Sequence, residues 1–151
     1  MILYLLLGLC IGIEGGYMYP AVGFQDIKYG AGFSAFADRD AGVVDLTFSL
    51  RAAFHTGDNP GYAMSTAGFA IGCYKKSWPV SPVFTVGADY ISRTLNQAGE
   101  SGVAATYGIG VRINFKVDRL YIYPEARYGG LTDLEVHAGF IGLTLGIGYE
   151  I

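Results

Sequence analysis

Nine charged side chains carry most of the chemical potential of this sequence: Asp45, Arg51, Asp89, Arg93, Arg112, Lys116, Glu125, Arg127 and Glu150. Acids and bases are close to balance among them, and each falls on the polar row of a segment in which polar and apolar residues alternate. Gathered in a confined space they would neutralise one another, because a buried charge left alone costs several kcal/mol. The expectation is therefore an internal ion-pair network, with a gated ion path as the functional alternative. Other chemistries find less support. Acyl transfer needs an activated nucleophile; His137 stands beside Glu135, but Gly139 follows two residues on, and Ser65 and Ser92 lie in no motif. His137 is read as an interfacial residue and His55 as a solvated loop residue. Two histidines, the well-separated Cys10 and Cys73, and the absence of clustered carboxylates argue against zinc. Gly108 and Gly110 are strand glycines with no helix after them, which excludes a phosphate loop. No catalytic residue, metal or cofactor is expected.

The elements that position the charges are strands. From about Tyr17 onward, stretches of ten to fourteen residues alternate with period two and are separated by short polar breaks. In 43–54, Val44, Leu46, Phe48, Leu50, Ala52 and Phe54 oppose Asp45, Thr47, Ser49 and Arg51. In 103–116, Val103, Ala105, Tyr107, Ile109, Val111, Ile113 and Phe115 oppose Thr106, Gly108, Gly110, Arg112, Asn114 and Lys116. Similar rows occupy 84–93, 119–128 and the final stretch, with weaker alternation over 28–37 and 62–74. A first strand near 16–24 makes eight. The breaks at 25–27, 38–42, 55–61, 75–81, 94–102, 117–118 and 129–133 are too short for crossover helices, so neighbouring strands must be antiparallel.

Composition decides what surrounds the strands. The chain is 52% hydrophobic, yet no apolar run approaches the ~18 residues of a membrane helix. Its 23 glycines are about twice the usual ~7% share and disfavour helices. Small and ionic residues on one row suit a crowded lumen, and long uninterrupted apolar rows suit lipid. A soluble ligand-binding barrel would need the reverse and more surface charge. Ten Lys and Arg without a basic patch exclude a nucleic-acid partner. Tyr74, Trp78, Tyr90, Tyr107, Tyr121, Tyr128 and Tyr149, close to the breaks, are read as aromatic girdles at the two interfaces. The fold class expected is thus all-β: a single up-and-down antiparallel transmembrane β-barrel of about eight strands, over 13–151.

The segment Met1–Ile13 reads as the apolar part of a secretory signal peptide, with a cut after Gly12 that would leave residues 1–12 as the leader. A lipoprotein with Cys10 acylated, a first strand and an apolar anchor are the alternatives. With an even strand count both chain ends face the periplasm, and the breaks after strands 1, 3, 5 and 7 face outward. Pro20 and Pro124 should mark a bulge or a strand end.

On these segments, and on the terminal pattern Leu143-x-Leu145-x-Ile147-x-Tyr149-x-Ile151, residues 16–151 resemble the small outer-membrane barrels of the OmpA/OmpX type. The resemblance implies a bacterial outer-membrane location and contact with outer-membrane lipid. It also implies recognition of the terminal pattern by the barrel-assembly machinery, although Ile151 departs from the Phe or Trp that usually ends it. Some barrels of this shape are lipid A deacylases with a His-x-Ser pair, which Gly139 breaks here. The expected role is structural or envelope-anchoring and non-enzymatic, with partner proteins of a larger envelope assembly as one form of it. A narrow channel or small-solute transport barrel is the alternative, followed by a lipid A-modifying enzyme.

Overall fold

A computed structural model describes residues 8–23, 27–57, 61–95, 98–132 and 137–151. Its strands are β1 (Leu9–Val22), β2 (Ile27–Asp40), β3 (Asp45–Gly57), β4 (Ala63–Tyr74), β5 (Val80–Leu95), β6 (Ala98–Ile113), β7 (Phe115–Val117), β8 (Leu120–Thr132) and β9 (His137–Glu150). Neighbours in sequence pair antiparallel, except that β6 and β7 do not pair with each other and both pair with β8. β1 also pairs with β9, from Cys10 opposite Glu150 to Val22 opposite Gly139, and this seam closes the sheet on itself. β6 and β7 are one stave with a single interruption, so the barrel has eight staves.

The interruption has a chemical cause. Arg112 opposite Glu125 and Phe115 opposite Ile122 share one register, and the pairs missing between them fall at Pro124. Proline has no N–H to give the ladder. Asn114, released at this point, turns to the β4–β5 connection: its backbone N–H donates to the Pro79 carbonyl (2.9 Å) and its side-chain amide to the Trp78 carbonyl (2.8 Å). Pro20 sits at the register shift between Pro20 and Val22 on the β1–β9 seam. Both prolines mark irregularities, as their chemistry requires.

Side-chain direction follows the alternation. Ile13, Phe33, Leu50, Val86, Ile109 and Leu145 are among the large apolar residues that face outward, each about half exposed or more. Asp45, Thr47, Thr85, Asp89, Thr106, Arg112 and Glu125 face inward and are buried. On β9 the outward residues run from Ile141 to Tyr149, a belt roughly 20 Å tall at about 3.3 Å per residue and a ~40° tilt. Water cannot solvate such a belt favourably. A closed barrel has no free strand edge in hydrocarbon, and this one is built to span a membrane.

Strand bounds depart from the sequence reading at several points. The first strand begins at Leu9, well before the expected 16–24, so Leu9, Cys10, Ile11 and Gly12 carry barrel pairs with β2 and β9. Asp38, placed in a break, lies inside β2, and the expected 94–102 break contracts because β5 runs to Leu95 and β6 resumes at Ala98. Residues 103–116, read as one segment, are split at Asn114. His55 is not a solvated loop residue: it lies within β3, faces inward and is 2% exposed. Tyr74 and Tyr121 do not belong to a girdle, since both point into the lumen and are buried. Trp78, Tyr90, Tyr107 and Tyr149 do lie on the outside. Glu135 and the rest of 133–136 lie outside the described residues.

Candidate functional site in the barrel lumen

The lumen is layered along its axis. At the end that holds Leu9 and Glu150, ion pairs ring the mouth. Lys116 donates to Glu150 (2.8 Å), which also accepts from the Tyr121 hydroxyl (3.2 Å). Asp45 accepts from the Lys76 backbone N–H (2.6 Å) and lies 3.9 Å from the Lys75 ammonium, which also pairs with Asp40 at 3.2 Å. Just inside, the Tyr74 hydroxyl donates to Asp38.

Above the mouth lies a clamp. The Arg112 guanidinium is held between two aromatic faces, 3.6 Å from the Tyr123 ring centroid and 4.1 Å from that of Tyr74. Its Nε donates to Glu125 at 2.8 Å, and its Nη2 lies 3.8 Å from Glu14. Arg127 completes the group, with Nε donating to Glu125 at 2.5 Å and Nη2 at 3.7 Å from Glu14; Tyr123 donates to Glu14 at 3.1 Å. Two carboxylates and two guanidiniums thus cancel within one layer. Cation–π contact adds to the pairing where the cation is shielded from water. The backbone makes room for it at Gly146, where a Cβ would come 2.0 Å from the Tyr123 ring.

Further along, Arg51 donates to Asp89 (2.9 Å) and to the Thr106 hydroxyl. Around and below this pair is a chamber of about 130 Å³. At the far end, Ile27, Met64, Ala104, Leu131 and Phe140 form an apolar cap, with Met18, Tyr62 and Ile91 packed against it.

The charged residues anticipated from the sequence are distributed over these layers. Arg112, Glu125 and Arg127 meet in the clamp, Arg51 and Asp89 at the chamber, and Asp45, Lys116 and Glu150 at the mouth. Arg93 stands apart. It continues the inward row of β5 beyond the cap, where it is solvent-exposed and pairs with Glu100 of its own hairpin at 2.6 Å. Glu14, Asp38, Tyr74, Tyr123, Lys75 and Lys76 belong to the site and were not singled out for it. Glu14 could have been found, because it shares a row with Gly12 and Gly16 in a segment hidden by its apolar surroundings. The terminal Leu143, Leu145, Ile147, Tyr149 and Ile151 all face outward. His137 lies on the outer face near the far end, where its Nε2 is 3.1 Å from the Tyr107 hydroxyl and 3.5 Å from that of Tyr128. Among the described residues, no group of three or more His, Cys, Asp or Glu side chains could hold a metal ion.

A closed eight-stave barrel with an apolar exterior and an ion-paired lumen has the fold of the small outer-membrane β-barrels. Comparison with solved structures agrees. The attachment invasion locus protein Ail of Yersinia pestis superposes with a TM-score of 0.68 at 16% identity, over 95% of this chain and 99% of that one. The N-terminal β-barrel domain of Pseudomonas aeruginosa OprF gives 0.64 at 12% identity, over 93% and 97%. Neisserial surface protein A gives 0.63 at 11%, over 95% and 97%. No protein-family model and no curated protein matches the sequence.

Proposed function

We propose that this chain is an integral protein of a bacterial outer membrane with a structural, envelope-anchoring role, its lumen sealed by side chains. The observation that carries the reading is the clamp: Arg112, held between Tyr74 and Tyr123 and tied to Glu125 and Glu14, leaves its layer both neutral and filled. A conducting path would need water or mobile ions at this level. The three neighbours span nearly their whole length with this one and share its fold, which supports the membrane assignment. A non-enzymatic role is supported by His137, which is engaged by two tyrosine hydroxyls rather than by a serine. Lipid contact along the outer belt, delivery by the barrel-assembly machinery through the outward-facing Leu143–Ile151 row, and docking to other envelope proteins belong to the same reading, as does a leader ahead of the barrel.

The chamber beside Arg51 and Asp89 favours a second reading, a narrow channel that opens when the clamp rearranges. Planar-bilayer recording separates the two. The sealed barrel predicts no unitary conductance from the native protein and small channels from R112A. Frequent native openings would establish the channel. Sedimentation with the detergent-insoluble outer-membrane fraction tests the location, and recovery from the periplasm without detergent would contradict it.

A further inference from the structure

The apolar cap contains a group that does not match its surroundings. His55 faces inward from β3 and is 2% exposed, and neither ring nitrogen has a hydrogen-bond partner among the described residues. Its ring packs on that of Phe140, with centroids 4.8 Å apart. Across the β2–β3 pair it lies against Gly30, where a Cβ would meet the imidazole at 2.4 Å; on the other side Met64 is its cross-strand neighbour. An imidazole in contact with an aromatic ring, a methionine and bare backbone is tolerated there while it is uncharged. On its inner side it borders the chamber, where the Thr85 and Thr144 hydroxyls and Nη1 of Arg112 are likewise buried without partners among the described residues. Orphaned polar atoms around a space of about 130 Å³ call for internal water, and at about 30 Å³ per molecule such a volume holds about four. His55 therefore stands between a wet chamber and an oily lid.

We propose that His55 is an acid latch: neutral, it holds the cap shut over a hydrated chamber; protonated, it opens the far end of the barrel to solvent. Among the described residues, the charged groups around it are already paired and offer the imidazolium no free counter-charge. From β2, the Lys28 backbone comes close to the ring. From β1 and β9 come Met18 and Phe140, and from the start of β4 Met64, with Tyr62 just before it. Arg51, on the same row of β3, is cationic and committed to Asp89 of β5. Glu14 of β1 is taken by Arg112, Arg127 and Tyr123, and Arg93 of β5 by Glu100 of β6. A proton gained from outside thus places an uncompensated charge among apolar side chains, which is relieved when water enters. Because the clamp lies at the opposite side of the chamber from His55, the latch acts whether or not the lumen conducts.

The test uses the whole protein refolded into lipid vesicles, with one tryptophan moved into the cap (L131W in a W78F background) and quenched by acrylamide. Lowering the pH from about 7.5 to about 5 crosses the imidazole range near 6.5 and stays above the ordinary carboxylate range. Quenching is expected to rise several-fold, and to stay at its low neutral-pH level in the same protein carrying H55Q. If the reporter does not fold, amide hydrogen exchange at the far ends of β3, β4 and β9, corrected for intrinsic pH dependence, gives the same comparison between native protein and H55Q. An unchanged cap at low pH, or an equal rise in H55Q, overturns the proposal.

Discussion

Removing the Glu125 carboxylate should cost more than any single contact in the barrel would suggest. Glu125 is fully buried and accepts from both Arg112 (2.8 Å) and Arg127 (2.5 Å). In E125A the two guanidiniums remain in the same closed layer with only Glu14 between them, at 3.8 and 3.7 Å. Breaking a buried pair from one side typically costs about 3–5 kcal/mol, most of it from the cation left uncompensated. With a urea slope of about 1–3 kcal/mol per molar, the unfolding midpoint should fall by roughly 1–5 M. Urea titration in lipid vesicles, followed by the heat-modifiable gel mobility of the folded barrel, measures it. The companion variant R112M/E125M removes both partners and leaves Arg127 with Glu14. It should recover most of the loss, because an apolar pair of similar volume is often as stable as the ion pair it replaces. An E125A midpoint within about 0.3 M of the native value would refute the argument, as would a double variant that is less stable than E125A.

Three further outcomes follow from the same geometry. G146V places side-chain atoms where the Tyr123 ring lies, and should destabilise by about 1–3 kcal/mol or prevent folding, whereas G99A, with nothing within 4 Å, should stay within about 0.5 kcal/mol in the same urea assay. L50R sets a cation on the lipid face and should cost about 2–4 kcal/mol; an unchanged midpoint would show that residue 50 does not face lipid. Deleting the chain through Gly12 removes the pairs of Leu9, Cys10, Ile11 and Gly12 with β2 and β9 and should lower the fraction that refolds, read as the heat-modifiable band.

The barrel was legible because strand periodicity is local: once Phe48 and Leu50 face one way, Thr47, Ser49 and Arg51 must face the other. The ends of strands were not, because a polar residue there resembles turn chemistry. Asp38 and His55 were both lost to breaks for this reason, although each is an inward residue of a strand that runs on. The clamp was half visible. Arg112, Glu125 and Arg127 lie on clean rows, but Glu14 sits beside an apolar run that reads as a leader. Tyr74 and Tyr121 suit a lumen as well as an interface, and only the register decides between them. The apolar cap was hidden altogether: where Phe140 and Ile141, or Gly30 and Ala31, put apolar residues on both rows, the alternation that reveals a lumen disappears.

The most direct measurement concerns the direction of each row. Spin labels placed one at a time at residues 46 to 51 would report contact with oxygen, which concentrates in lipid, and with a water-soluble nickel chelate, which does not. The barrel described here predicts strong oxygen contact at 46, 48 and 50 and low contact with both reagents at 47, 49 and 51. Oxygen contact at the odd positions, or nickel contact at the even ones, would mean that the apolar row faces a core and the ionic row faces water.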